Sequence, residues 1–120
     1  MYDHIGLKVK DVEASVGFYS AALASIGHVL CSRDDSNASF GPAGAPALYL
    51  AKGSAGSGVH LALTAPSRAA VDRFHAGGLK AGGRDNGAPG LRADYSPTYY
   101  AAFLLDPAGN NVEAVCLKEK

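Results

Sequence analysis

At 120 residues the chain is long enough for one domain with a usable core. Apolar side chains make up 48% and charged ones 18%, with no charge run or polar low-complexity stretch, which excludes a disordered chain. Eleven basic side chains balance eleven acidic ones, so no global field would draw in nucleic acid or an anionic membrane.

Residues 3–9, DHIGLKV, have the pattern of a strand. Asp11 then stands where a helix N-cap belongs, and Val12, Val16, Tyr19, Leu23 and Ile26 form an apolar stripe down one helix face. Gly27 is the natural stop. Short strands are expected from His28 to Cys31, Ala38 to Phe40 and Pro46 to Ala51, with turns at Asp34-Asp35-Ser36-Asn37 and Gly41-Pro42-Ala43-Gly44. A Gly- and Ser-rich stretch, 53–58, has the composition of a linker.

The same order then recurs. Val59 to Thr64 is a strand, Ser67 a cap, and Arg68 to Ala81 a helix, although Gly77 and Gly78 each cost it about 1 kcal/mol relative to Ala. Gly82-Gly83 ends the helix, a long loop runs from Arg84 to Pro97, and Tyr99 to Leu105 and Asn111 to Leu117 close as strands. An ungapped offset of 56 puts His4 on His60, Phe18 on Phe74 and Gly27 on Gly83. Later an offset of 65 puts Pro42-Ala43-Gly44 on Pro107-Ala108-Gly109 and Leu48 on Glu113. The pattern predicts an α+β fold of two βαβββ modules, one over about 1–52 and one over about 59–120, within a single domain.

Alternation along a strand sets Ile5, Leu7 and Val9 against His4, Gly6 and Lys8, and Leu61 and Leu63 against His60, Ala62 and Thr64. The apolar faces should pack on the helices, which leaves the two histidines looking out from the other side of the sheet. Glu113 lies in an otherwise apolar run, where a carboxylate is costly to bury unless paired or ligating. Two imidazoles and one carboxylate suit a divalent ion (zinc, nickel, manganese or ferrous iron) and leave positions open for water and a substrate with adjacent oxygens. A fully symmetric site would have a fourth carboxylate where the offset puts Leu48, so three protein ligands are expected. Tyr49, Arg92, Tyr99, Tyr100 and Phe103 are candidates for binding the substrate, whereas His28 and His75 are expected at the surface or rim.

No apolar run reaches the roughly 18 residues that a spanning helix needs, and the N-terminus lacks the basic-then-apolar pattern of a secretion signal. Cys31 and Cys116 lack the spacing of a zinc ribbon or redox pair. The expectation is a cytoplasmic protein with two small buried thiols.

The segments DHIGLKVKDVEASVGFYSAAL, GVHLAL and LLDPAGNNVEAV resemble the vicinal oxygen chelate superfamily of glyoxalase I, extradiol dioxygenases and bleomycin-resistance proteins. The resemblance implies curved mixed sheets forming a cup around a metal, a homodimer, and His4, His60 and Glu113 as ligands. It implies a glyoxalase-like metal-dependent enzyme of lyase or isomerase type on a small substrate. The alternatives are an extradiol-type dioxygenase using ferrous iron and a non-catalytic binding or antibiotic-resistance protein. Leu48 at a position where glyoxalase I has a carboxylate argues against a methylglyoxal–glutathione isomerase. Phe103 stands where extradiol dioxygenases have a tyrosine, which argues against catechol cleavage.

Overall fold

The computed structural model describes residues 2–54 and 59–119, so most of the expected linker lies outside the described residues. In chain order the elements are β1 (Ile5–Val9), α1 (Val12–Ala24), β2 (Val29–Arg33), β3 (Asn37–Gly41), β4 (Leu48–Lys52), β5 (His60–Thr64), α2 (Arg68–Lys80), β6 (Arg84–Leu91), β7 (Tyr100–Leu105) and β8 (Asn111–Cys116). They form two four-stranded sheets, ordered β1-β4-β3-β2 and β5-β8-β7-β6. In each the first strand pairs in parallel with the last and the other pairings are antiparallel. The mixed α+β fold is therefore a duplicated βαβββ unit.

Both helices begin and end as their sequences require. The side chains of Asp11 and Ser67 accept from the backbone N–H groups of Ala14 and Ala70, at 3.1 and 3.0 Å. Gly27, at φ 84°, ends α1 in a Schellman turn in which the His28 N–H donates to the Leu23 carbonyl and the Gly27 N–H to that of Ala24. At the end of α2 the left-handed residue is Gly82, and Gly83 N–H returns to the Gly78 carbonyl.

One apolar cluster runs through both modules and includes Leu7 and Val9, the whole α1 stripe, Phe18, Phe40, Phe74, Leu104 and Val112. The two helices pack on one another inside it, which explains the glycines of α2. A Cβ on Gly78 would overlap the Leu104 side chain and lie 3.1 Å from Phe18, and one on Gly77 would lie 3.1 Å from the Ala21 carbonyl oxygen. The helix gives up propensity to let α1 approach. Gly78→Ala is accordingly expected to destabilise the protein by about 1–2 kcal/mol, because overpacking outweighs the gain in helix propensity. A lowered urea midpoint at unchanged m-value would show this.

A buried polar cluster ties the modules together. The Tyr19 hydroxyl on α1 donates to Asp106 Oδ2 at 2.7 Å, and the same carboxylate accepts from the backbone N–H groups of Ala108 and Asn110 and from Asn110 Nδ2. Burial, reinforced by the Asp106 charge, pushes the Tyr19 hydroxyl far up, so it stays a donor.

The structure corrects three expectations. Residues Arg84 to Leu91, expected in a loop, form β6. Its Gly- and Pro-rich sequence is tolerated because β6 is an edge strand whose pairing shifts twice, between Asp85 and Gly87 and between Gly87 and Gly90. Cys116 is buried, but Cys31 is partly exposed on edge strand β2, and both are free thiols. Finally, the ladders pair Gly6 with Tyr49 and Ala62 with Glu113. Since Gly6 and Ala62 correspond, the counterpart of Glu113 is Tyr49 and not Leu48; Leu48 belongs to the buried helix-facing side. Among the described residues no helix is long and apolar enough to cross a membrane.

Candidate functional site

The face of the second sheet turned away from α2 carries a second polar cluster, apart from the one around Asp106. His60 and Asn111 are paired residues of parallel strands, and Glu113 lies two residues further along β8 on the same face. The imidazole therefore bridges two side chains of one neighbouring strand. His60 Nε2 lies 2.8 Å from Glu113 Oε1, and His60 Nδ1 lies 2.6 Å from Asn111 Nδ2. The histidine side chain is 46% exposed and the glutamate only 3%, so the pair is open on the imidazole side alone.

Tyr99, just before β7, donates its hydroxyl to Glu113 Oε2. Desolvation and then the hydrogen bond to Glu113 push its pKa up to about 12, which keeps it protonated and donating. Phe103 is the direct cross-strand partner of Glu113, and its ring centroid lies 6.2 Å from that of His60. Arg92 lies over Phe103 at 5.4 Å and donates from Nη2 to the Ala88 carbonyl at 2.7 Å. No carboxylate of the described residues lies within ion-pair distance of Arg92. A Cβ on Gly87 would lie 2.8 Å from Phe103 and 3.3 Å from Arg92 Nη2, so the bare backbone there makes room for the stack.

The first sheet carries the corresponding half. His4, just ahead of β1, packs edge-on against Tyr49 with centroids 5.3 Å apart, and its Nδ1 lies 2.8 Å from Asp3 Oδ1. Thus His4 stands beside Tyr49 as His60 stands beside Glu113. Neither Leu48 nor Tyr49 is a carboxylate, and the ground for expecting three ligands is unchanged by the corrected register.

Of the residues singled out in the sequence, the structure gathers His60, Glu113, Tyr99, Phe103 and Arg92. It puts His4 and Tyr49 together in the other module, and among the described residues no group of three His, Cys, Asp or Glu could hold an ion. Tyr100 alternates to the helix side, where its hydroxyl donates to Asp72 of α2 at 2.6 Å beneath Arg68, away from Glu113. His75 is partly buried at the rim: its side chain is 12% exposed and bonds Asp85 of β6 at 2.8 Å, which holds the Asp85 carboxyl below its ordinary value. His28 is partly buried beside His4, in a cavity of about 110 Å³ also lined by Leu48, Leu61 and Leu63, and burial lowers its pKa.

Sequence reasoning missed Asn111 and Asn86, whose Nδ2 lies 3.3 Å from Asn111 Oδ1. The spacing Asn111-Val112-Glu113 was the available signal, since it puts two polar groups on one face of a strand. As a donor set, His60 and Glu113 fit a divalent ion. Two adjacent donors each about 2.0–2.2 Å from a shared ion stand roughly 3 Å apart, close to the spacing that their hydrogen bond holds.

No model of a known family matches the chain, and no curated protein matches it by sequence. Solved structures do. A glyoxalase/bleomycin resistance protein from Albidiferax ferrireducens superposes with a TM-score of 0.86 at 29% identity, over 97% of this chain and 98% of its own. A glyoxalase/bleomycin resistance protein/dioxygenase family enzyme from Burkholderia phytofirmans gives 0.75 at 18% identity, over 97% and 98%. A glyoxalase I variant from Zea mays gives 0.75 at 22% identity, over 97% of this chain but 46% of that one. The latter two likenesses establish the fold alone.

Proposed function

We propose that this chain, on its likeness to a glyoxalase/bleomycin resistance protein, belongs to the vicinal oxygen chelate superfamily and is a divalent-metal-dependent enzyme of lyase, isomerase or related type, acting on a small substrate that chelates the ion through adjacent oxygens. His60, Glu113 and His4 are the proposed ligands, and a homodimer supplies His4 from the second copy. The observation that carries the reading is the His60–Glu113 pair, two potential ligands already in contact and braced on both sides by Asn111 and Tyr99. The edges of β1 and β5 support the dimer, since among the described residues each first strand has a neighbour on one side only.

When bound, the ion (zinc, nickel, manganese or iron) would act as a Lewis acid on the chelated oxygens. The residues of the chain do the rest. Tyr99 occupies Glu113 Oε2 and leaves Oε1 to face the site. Phe103 shields the carboxylate with an apolar surface, and it supports Arg92, whose guanidinium is available for an anionic oxygen of the substrate. A second reading, small-molecule binding without turnover, is favoured by the absence of a three-donor group within the described residues of one copy.

The test begins with elemental analysis of protein purified without chelator. One divalent ion per wild-type chain is expected, and none for His4→Ala or Glu113→Ala. Refolding those two variants together should recover about a quarter of the wild-type sites, since half the dimers are mixed and each mixed dimer has one intact site. No recovery from verified mixed dimers would refute sharing between copies. Wild-type protein that neither carries nor takes up an ion would leave only the binding reading.

A further inference from the structure

We propose that Asn111, oriented by Asn86, is a positioning residue that sets which ring nitrogen of His60 carries the proton, and so controls the readiness of His60 to ligate. The inference rests on the reading of His60 as a ligand. The geometry comes from the strands: the imidazole is held between Asn111 at Nδ1 and Glu113 at Nε2, at 2.6 and 2.8 Å. Glu113 can only accept. With Asn111 Nδ2 donating to Nδ1, the ring proton sits on Nε2 and is donated to Glu113. In that state the nitrogen facing Glu113 has no free lone pair.

The second arrangement follows from turning the amide over. Asn111 Oδ1 then accepts from an Nδ1–H group, and Nε2 presents its lone pair beside Glu113 Oε1. The proton leaves Nε2 for solvent and another is gained at Nδ1, so the ring stays neutral. Asn86 biases the choice, because its Nδ2 donates to Asn111 Oδ1 at 3.3 Å and holds the amide in the first orientation. A histidine ligand needs its outer nitrogen fixed in this second sense, and such partners change metal affinity by about 10–100-fold.

The other module lacks the device. There the ladder puts Ala47 at the position of Asn111, and His4 Nδ1 faces Asp3 instead. A carboxylate can only accept, so neutral His4 has a single favoured tautomer, with Nε2 free. One histidine is ready and the other is gated by an amide.

Two measurements on the whole chain test this. Long-range ¹H–¹⁵N spectra of metal-free protein report the His60 tautomer directly, without any ion. Wild type should carry the proton on Nε2. Asn111→Asp and Asn86→Asp, the second without touching His60, should both place a proton on Nδ1, which wild type leaves bare. Zinc and cobalt titrations should rank Asn111→Asp at or above wild type and Asn111→Ala about 10–100-fold below it. A wild-type proton on Nδ1, or an Nδ1 that stays bare in both aspartate variants, would overturn the proposal, as would equal affinities in all variants. Wild type that binds neither metal would instead sink the ligand reading, and the spectra would still decide whether the amides set the tautomer.

Discussion

Glu113→Gln is expected to lose the divalent ion while keeping the fold. Glutamine is nearly isosteric, can still accept from Tyr99 and can still hydrogen-bond His60, so the buried neighbourhood stays satisfied. What disappears is the negative oxygen at the ion's position. Removal of a supporting partner costs about 10–100-fold in metal affinity, and loss of a ligand should exceed that, at more than about 100-fold. Calorimetric titration with zinc checks the affinity, and a melting temperature near that of wild type checks the fold. A variant that binds as tightly as wild type would remove Glu113 from the site.

Asp106→Ala should produce the largest loss of stability. The carboxylate satisfies four donors from two modules, including a tyrosine 87 residues away. Its removal strands the Tyr19 hydroxyl and the Asn110 amide in a dry interior, at a cost of about 3–5 kcal/mol. Tyr19→Phe removes one of the four bonds and should cost about 1.5–3 kcal/mol, the range for hydrogen bonds to a charged group. Chemical denaturation of both variants gives the comparison. Equal losses would mean that the tyrosine contact alone ties the modules.

The duplication was legible because its signals are local. Asp11 and Ser67 as caps, Gly27 and Gly82 as stops, and the alternation around Leu7 and Leu63 are readable from neighbours a few residues apart. His60 and Glu113 could be singled out by their places in their strands, whereas Phe103 was marked only by the resemblance. What stayed hidden depends on pairing. Strand β6 contains Gly, Pro and Asn because it is bulged at a sheet edge, which in sequence is indistinguishable from a loop. The glycine turns Pro42-Ala43-Gly44 and Pro107-Ala108-Gly109 match at an offset of 65, but the ladders around them match at 64, and only hydrogen bonds reveal that slip. It is enough to exchange Leu48 for Tyr49 beside His4. Asp106 has the look of a turn residue, and its buried role depends on Tyr19, for which no local pattern exists.

Diffraction from the native protein, with anomalous data collected across the edges of candidate metals, would decide whether His60 and Glu113 hold an ion. One ion per chain is expected, bound by His60 Nε2, Glu113 Oε1 and the His4 of a second copy. An intact His60–Glu113 hydrogen bond in metal-supplemented crystals, with no anomalous peak beside it, would contradict it.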